Sequence, residues 1–188
     1  MAAKTFRRRP VRRIARPSPH ALIWASAGAV LWLMSGWVGF SGFFDTKDEL
    51  EGRPYIIDGD TIRMSGARIR LDGIDAPETD QMCRDRAGDN YHCGRTATAA
   101  LENKTAGQSV RCELHGHDRH GRKLARCFIG DIDLGEWMVR EGHAVAYWRY
   151  SWRYIPAEII TRLNGAGIWQ GDFMRPSDWR RVSMPIDD

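Results

Sequence analysis

The sequence predicts a β+α fold, in which a small, mainly antiparallel barrel of five short strands packs against three helices. Three observations indicate this class. Short apolar or alternating runs recur between glycine-containing turns, as they do in antiparallel β-proteins. Most of these runs follow one another directly, without the strand–helix alternation of a parallel sheet. Three further segments have helix-forming composition and capping residues.

An uncharged apolar segment, residues 21–44, precedes the folded part. A helix of this length can cross a hydrocarbon core of about 30 Å. Residues 1–44 contain seven lysines and arginines and no acid, whereas acids follow from Asp45 onward. The positive-inside rule then predicts a cytoplasmic tail over 1–20, a transmembrane helix over 21–44, and a domain on the periplasmic or extracellular side. Cleavage as a secretory signal is the alternative, and it would secrete the domain to the same side.

The folded part is not basic, although the whole chain has a net charge of +4. Beyond residue 44 there are 21 lysines and arginines against 24 acids, a net charge of −3. The positive charge therefore belongs to the N-terminal tail and does not indicate a broad nucleic-acid-binding surface. Any affinity for phosphate has to come from arginines placed locally.

The predicted elements follow in chain order. Residues 45–52 are a polar linker, and the barrel domain spans 53–171. Its first three strands are residues 56–57, 61–64 and 67–71, separated by turns that contain glycine. In the third strand apolar and basic residues alternate, as they do in a half-buried strand.

The rest of the domain alternates helices with short strands. The predicted helices are residues 96–104, 133–141 and 156–163, and the predicted strands are residues 110–114, 123–129 and 143–147. Asp133 and Glu136 form a capping box for the second helix, and Gly142 ends it. Glu158 on the last helix is interpreted as a structural anchor for a loop. Residues 172–188 contain two prolines and no clear period, and are predicted to be a C-terminal tail.

All four cysteines lie beyond the apolar segment, in a compartment that permits disulfides. Four cysteines allow three connectivities. Chain order and the hairpin predicted over 110–129 favour Cys83–Cys93 and Cys112–Cys127. Zinc binding is the competing interpretation, but no two cysteines have the short spacing of a typical zinc site.

Two short stretches carry acids in a pattern that suits a hard cation, IDGDTI (57–62) and RIRLDGIDAPE (68–78). Asp60 follows a tight glycine turn, and Asp75 and Glu78 flank a proline-restricted loop. If the neighbouring strands pair, the three carboxylates can converge. Carboxylates without cysteine or histidine favour Ca²⁺ or Mg²⁺.

Two arginines complete this candidate site. Arg70 lies on the third predicted strand, and Arg122 begins a strand just after a glycine. The planar guanidinium group matches the geometry of a phosphate. Hydrolysis of a phosphodiester requires such cations on the phosphoryl oxygens, together with a group that deprotonates or orients water.

These stretches, together with HDRHGR (117–122), resemble the staphylococcal nuclease (thermonuclease) family over about residues 55–169. The resemblance implies a five-stranded OB-type barrel with three helices. It also implies a Ca²⁺-dependent endonuclease that hydrolyses DNA or RNA with little sequence preference and leaves 3′-phosphate ends.

The resemblance further implies a role for individual residues. The metal ligands would be the carboxylates of Asp60 and Asp75 and the carbonyl of Ala76. The catalytic residues would be the general base Glu78 and the phosphate-binding Arg70 and Arg122. The substrate-binding candidates are His120, at a position where the family has a tyrosine near the nucleotide, and Tyr147, which offers a stacking face.

Two other functions are compatible with parts of the sequence. One is a membrane-tethered, non-catalytic OB-type module that binds nucleic acid or protein. The other is a membrane-tethered interaction protein without a nucleic-acid role, which the acidic folded part would suit. The presence of all three acids and both arginines favours the nuclease, and we expect a monomer.

Overall fold

The computed structural model describes residues 48–183. The predicted cytoplasmic tail, the predicted transmembrane helix over 21–44 and residues 184–188 lie outside this range. Among residues 48–183, no helix combines the length and the apolar character needed to cross a bilayer.

The strands of the described region are short. In chain order they are β1 (Glu49–Gly52), β2 (Tyr55–Ile56), β3 (Thr61–Met64), β4 (Ala67–Leu71), β5 (Ile74–Asp75), β6 (Cys83–Arg84), β7 (Asn90–Tyr91), β8 (Val110–His117), β9 (Lys123–Ile129), β10 (Ile132–Asp133) and β11 (Val145–Ala146). The helices are α1 (Cys93–Thr105), α2 (Leu134–Arg140), α3 (Ile155–Asn164) and α4 (Pro176–Ser183), and a 3₁₀ turn occupies Gly167–Gln170.

One mixed sheet organises the fold. Its strands lie in the order β1-β8-β9-β4-β3-β2, and β10 also pairs with β9. All of its pairs are antiparallel except β4 with β9. The two remaining pairs are β5 with β11 and β6 with β7. Five of the six predicted strands correspond to β2, β3, β4, β8 and β9 of this sheet, and the sixth, residues 143–147, contains β11. The sheet with its helices fits the expected OB-like β+α fold.

The core lies between the sheet and the helices. Alternate residues of β3 and β4 point into it, and Ile62 and Ile69 are fully buried. Leu101 of α1 and Met138 of α2 belong to the same cluster. As predicted, Asp133 caps α2 by accepting a hydrogen bond from the backbone N–H of Glu136.

Both predicted disulfides are present, and the described chain has no free cysteine. Cys112 and Cys127 are directly opposite each other in the β8–β9 hairpin. Cys83 of β6 is bonded to Cys93, the first residue of α1. The zinc interpretation and the other connectivities are therefore wrong.

Two predictions about the ends of the domain are corrected. Residues 45–52 were expected to be a linker, but Glu49–Gly52 form β1 at the sheet edge, paired with β8. An edge strand needs backbone partners rather than apolar side chains, so its polar sequence did not indicate a strand. Residues 172–188 were expected to be a tail, yet Pro176–Ser183 form α4, so residues 48–183 contain four α-helices rather than the three predicted for the domain. Pro176 begins this helix, where a missing N–H has no cost.

Candidate active site

Asp60, Arg70 and Asp75 form the buried centre of the site. The pairing of Thr61 with Arg70 between β3 and β4 places Asp60 beside Arg70. Arg70 Nη1 donates to Asp60 Oδ1 at 2.6 Å, and its Nη2 donates to Asp75 Oδ1 at 3.0 Å. Asp60 is only 4% exposed and Asp75 only 1%. A single guanidinium therefore joins the two aspartates that were predicted as metal ligands.

Ala76 completes this centre. Its backbone N–H donates to Asp60 Oδ2 at 3.2 Å, which brings the β5 loop against the β2–β3 turn. The approach is so close that a Cβ on Gly59 would lie 2.7 Å from the Ala76 Cβ. Only glycine fits at position 59, which gives the predicted tight turn a structural reason.

Glu78 lies at the rim of the site and is half-buried. Gln81, which is fully buried, holds its loop by a reciprocal pair of hydrogen bonds. The Glu78 N–H donates to Gln81 Oε1, and the Gln81 N–H donates to the Glu78 carbonyl. The N-terminus of α1 also supports the loop, since a Cβ on Gly94 would lie 1.7 Å from the Glu78 carbonyl oxygen.

Arg122 reaches the same centre from the β8–β9 loop. Its Nη1 donates to Thr61 Oγ1 at 3.2 Å, and Thr61 Oγ1 donates to Asp60 Oδ1 at 3.0 Å. Asp118 orients Arg122, because Asp118 Oδ2 accepts from Arg122 Nε at 2.7 Å. Burial opposes ionisation of Asp118, but hydrogen bonds from Arg122 and from the backbone outweigh it and lower the pKa of Asp118.

Arg180 of α4 is the main feature that sequence reasoning missed. Its Nη2 lies 3.0 Å from both carboxylate oxygens of Asp75, and its Nη1 lies 2.6 Å from Glu78 Oε1. Burial raises the pKa of Asp75, and the charges of Arg180 and Arg70 oppose that rise. Arg180 is more than 100 residues from its partners, so no local pattern could reveal the contact.

Asp58 and Asp118 also belong to the site, although neither received a role from the sequence. Asp58 Oδ1 accepts from the Asp60 N–H at 3.0 Å. Burial, reinforced by the charge of Asp60, raises the pKa of Asp58 to about 6. The turns that contain Asp58 and Asp118 could have indicated these contacts in the sequence. An aspartate in a turn commonly accepts a hydrogen bond from the backbone N–H two residues later.

The predicted substrate-binding residues lie around this centre. Tyr147 follows β11, and its N–H donates to the Gly73 carbonyl at 2.9 Å, just before β5. His120 lies exposed on the β8–β9 loop, where its ring accepts a hydrogen bond from Arg119. The structural interpretation of Glu158 is supported, since its Oε2 accepts from the Ala146 N–H at 2.6 Å and so supports the strand beside Asp75.

The donor set of the site suits a hard cation. It consists of the carboxylate oxygens of Asp60 and Asp75, which meet at one guanidinium, and of the adjoining Ala76 backbone. Calcium prefers such all-oxygen sets. In the region that the structure describes, no three His, Cys, Asp or Glu side chains form a ready-made metal cluster. In the structure, Arg70 contacts Asp60 and Asp75, and Arg180 contacts Asp75 and Glu78.

The site therefore combines buried carboxylates, a carboxylate at the rim and three guanidinium groups. The arginines suit an anionic substrate. Glu78 is placed where it could accept a proton from a nucleophile at the rim. This combination is suited to the hydrolysis of a phosphate ester.

Comparison with known proteins is consistent with this geometry. The family described as staphylococcal nuclease homologue matches residues 68–170. A succinoglycan biosynthesis protein, ExoI, of Rhizobium meliloti is 36% identical over 82% of this chain and 83% of its own length. An uncharacterized endonuclease of Haemophilus influenzae is 31% identical over 70% of this chain and 75% of its own length. A probable staphylococcal-like nuclease of rice, CAN2, is 30% identical over 61% of this chain and 29% of its own length.

Proposed function

The chain belongs to the staphylococcal nuclease family, and on that premise we propose that it is a Ca²⁺-dependent nuclease acting on DNA or RNA. The observation that carries the proposal is the meeting of Asp60 and Asp75 on the guanidinium of Arg70, with Glu78 and Arg122 beside them. The arginines favour a phosphodiester substrate. Succinoglycan biosynthesis, which the name of the Rhizobium relative states, is therefore not part of the proposal.

Each side chain has a defined task in this reaction. Glu78 takes a proton from the attacking water, whose oxygen bonds to phosphorus as the bond to the 5′ oxygen breaks. The products are a 5′-hydroxyl and a 3′-phosphate end. Arg122 and Arg70 stabilise the negative charge that develops on the phosphoryl oxygens.

The carboxylates of Asp60 and Asp75 and the carbonyl of Ala76 would hold the calcium ion. When bound, calcium supplies a fixed double positive charge that offsets the charge of the phosphate. Arg70 holds the two aspartates together, since its two Nη atoms contact one oxygen of each. The burial of both aspartates strengthens these interactions, because water does not screen them.

An exposed aromatic segment, residues 147–153, supports a polynucleotide substrate. Its sequence is YWRYSWR, with two arginines and no acid. Trp148, Tyr150 and Trp152 are 57%, 69% and 80% exposed. The segment follows β11, which pairs with β5 and therefore with Asp75. Exposed rings interleaved with arginines favour stacking with unpaired bases, so we infer a preference for single-stranded stretches.

The same proposal includes a location outside the cytoplasm. Disulfides persist in oxidising compartments, and the domain contains two. The apolar segment at 21–44, preceded by seven basic residues, fits an anchor or a secretory signal. A monomeric enzyme anchored to or released from the membrane would then meet nucleic acid from outside the cell.

The test is cleavage of single-stranded DNA, duplex DNA and RNA by the purified chain with Ca²⁺, Mg²⁺ or EDTA. We expect cleavage with Ca²⁺, loss of cleavage in EDTA, and products whose 3′ ends release phosphate on treatment with a phosphatase. Glu78→Gln and Arg122→Ala should each lower turnover by about 100-fold or more, because each removes a group that acts on the reacting atoms.

Matched controls are available in the same chain. Glu102→Gln on the exposed side of α1 and Arg119→Ala in the same loop as Arg122 should keep the native rate. If the native protein binds single-stranded DNA but never cleaves it, the non-catalytic OB-type module replaces the nuclease.

A further inference from the structure

Arg180 lies outside the segment that matches the family, residues 68–170, yet it reaches the centre of the site. Its guanidinium contacts both oxygens of Asp75 at 3.0 Å and Glu78 Oε1 at 2.6 Å. Asp75 is only 1% exposed, and the Arg180 side chain that reaches it is 29% exposed and thus partly shielded from water. Such a contact goes beyond an ordinary surface ion pair.

The oxygens that Arg180 contacts are also those that the metal needs. Calcium binds oxygen at about 2.3–2.6 Å, and Arg180 Nη2 already lies 3.0 Å from each carboxylate oxygen of Asp75. An ion bound to Asp75 would therefore lie against the Arg180 nitrogens, with like charges in contact. Simultaneous occupation is strongly disfavoured at such a separation.

The charge balance leads to the same conclusion. Asp60, Asp75 and Glu78 carry −3, and Arg70 and Arg180 carry +2, so the docked cluster has a net charge of −1. Without Arg180 the net charge is −2, which equals the charge of one divalent cation in magnitude. Arg180 thus neutralises one of the two charges that a calcium ion would otherwise neutralise.

The helix that carries Arg180 can move without loss of its attachment. Two contacts just before α4 anchor the chain: Gln81 Nε2 donates to the Met174 carbonyl at 2.7 Å, and Arg175 Nη2 donates to Glu158 Oε1 at 2.9 Å. Within α4 itself only Pro176 is buried. Trp179 is half-buried, so displacement of the later turn of α4 exposes part of one aromatic side chain but no residue of the buried core.

We propose that Arg180 is a built-in competitor of calcium, so that calcium binds Asp75, and Glu78 is free to act as a base, only when α4 releases Arg180 from them. This inference rests on the proposed function, because it takes the calcium site and the general base from it. It predicts that the calcium affinity of the protein is set by the equilibrium between docked and released α4. A site that is accessible a tenth of the time has an apparent Kd raised about tenfold.

The test measures calcium affinity and helix docking, not catalysis. Calcium is titrated into the full-length native protein, Arg180→Ala, Arg180→Lys and the control Arg181→Ala by isothermal calorimetry. Arg181 is the adjacent residue, but its side chain is 75% exposed and pairs with Asp178. Hydrogen exchange of residues 176–183 is followed in the native protein with and without calcium, and thermal unfolding in EDTA verifies that each variant folds.

We expect Arg180→Ala to bind calcium about tenfold more tightly than the native protein, with Arg180→Lys in between and Arg181→Ala unchanged. Calcium should also increase hydrogen exchange in α4 of the native protein. Equal or weaker binding by Arg180→Ala, or exchange in α4 that calcium does not change, overturns the proposal. Absence of calcium binding in both proteins overturns it as well, since there would be nothing to compete with.

The two proposals fail in different ways. Ca²⁺-dependent cleavage with equal calcium affinities in the native protein and Arg180→Ala would leave the nuclease intact and remove the role of Arg180. Tighter calcium binding by Arg180→Ala without any cleavage by either protein would support the competition and remove the nuclease.

Discussion

Asp118 holds Arg122 in the orientation that the proposed phosphate contact requires. Asp118 accepts one hydrogen bond from the Arg122 side chain and two from backbone N–H groups, those of His120 and Arg122. The carboxylate thus shapes the loop and orients the guanidinium at once. A residue with this role acts through its neighbour and does not itself touch the substrate.

Asp118→Asn tests this positioning role. Asparagine keeps the size of the side chain but loses the charge and one acceptor, so Arg122 becomes less well oriented. We expect kcat to fall about 10- to 100-fold, because a small displacement of a catalytic group lowers the rate by a factor of this size. The change in KM should be smaller. Asp131→Asn, at an exposed site in the β9–β10 turn, is the control. Equal rates in the two variants would contradict the role.

His143 gives the fold a pH dependence of its own. It is half-buried against the Trp137 ring, with ring centroids 5.9 Å apart. Burial lowers the pKa of His143, and the charge of Glu141 opposes this only partly. The folded protein therefore binds fewer protons here than the unfolded chain, whose histidine has a pKa of about 6.5.

The sign of the effect on stability follows from this difference. Above a pH of about 6.5, the lowered pKa of His143 does not reduce the free energy of unfolding. Below that pH, the free energy of unfolding falls until the pH has passed the lowered pKa of the folded state. His143→Gln should remove this loss, so that its free energy of unfolding increases relative to that of the native protein as the pH falls from 8 to 5. Urea unfolding in EDTA measures it, with the exposed His120→Gln as control. A constant difference across this range would show that His143 does not titrate as proposed.

At the scale of elements, the beginning of α1 sets the position of the loop that carries Glu78, the proposed general base. Gly94 packs so closely that its backbone touches the Glu78 carbonyl, and the Cys83–Cys93 disulfide holds the same end of the helix. The helix therefore acts as a rigid support behind Glu78. Its glycine is required for close packing and not for an unusual φ angle.

Gly94→Ala should push α1 and the loop that carries Glu78 apart. The new Cβ would lie 1.7 Å from the Glu78 carbonyl oxygen and 2.9 Å from Thr79 Cα, so the loop has to shift. Overpacking of this kind costs about 1–3 kcal/mol of stability. We expect nuclease activity to fall about 100-fold even where the protein remains folded, because Glu78 is displaced from its reacting position.

Gly116→Ala is the matched control, since a Cβ there meets nothing within 4 Å. Thermal unfolding and single-turnover cleavage are compared for both variants. Full activity in Gly94→Ala would mean that the position of the Glu78 loop does not limit the reaction.

At the scale of the whole molecule, one disulfide lies in the main core and the other lies beside the site. Cys112–Cys127 joins the central hairpin and is fully buried in the main core. Cys83–Cys93 lies in a second, smaller apolar cluster with Val145 and Ile168, beside the strand that pairs with Asp75. Reduction should therefore weaken the fold and loosen the site together.

The expected loss of stability is measurable. Closing a loop of 15 residues, as Cys112–Cys127 does, stabilises a protein by about 3 kcal/mol. Dithiothreitol should lower the free energy of urea unfolding of the native protein by at least this amount. A variant with all four cysteines changed to alanine should be insensitive to dithiothreitol. A native protein equally insensitive to it would show that the disulfides do not form in solution.

Much of this molecule could be predicted from local patterns. Alternation and turn residues located five strands of the main sheet, and capping residues located α2. Chain order and the predicted hairpin together paired the cysteines correctly. The motifs at 57–62 and 68–78 identified Asp60, Arg70 and Asp75, whose contact the structure shows. These features succeed because each depends on residues close in the chain, or on adjacent strands.

The remaining features depend on contacts between distant segments, and only the tertiary structure decided them. The polar residues Glu49–Gly52 became a strand because the edge of β8 supplied backbone partners. The helix Pro176–Ser183 has few apolar residues to reveal it, and Arg180 attaches it to Asp75 and Glu78 by charge. The sequence by itself identified Asp60, Arg70 and Asp75, which the structure brings into contact, as residues of one candidate site. The fold determined that a further arginine, from the far end of the chain, occupies the same carboxylates, because such an ion pair depends on proximity in space and leaves no pattern along the chain.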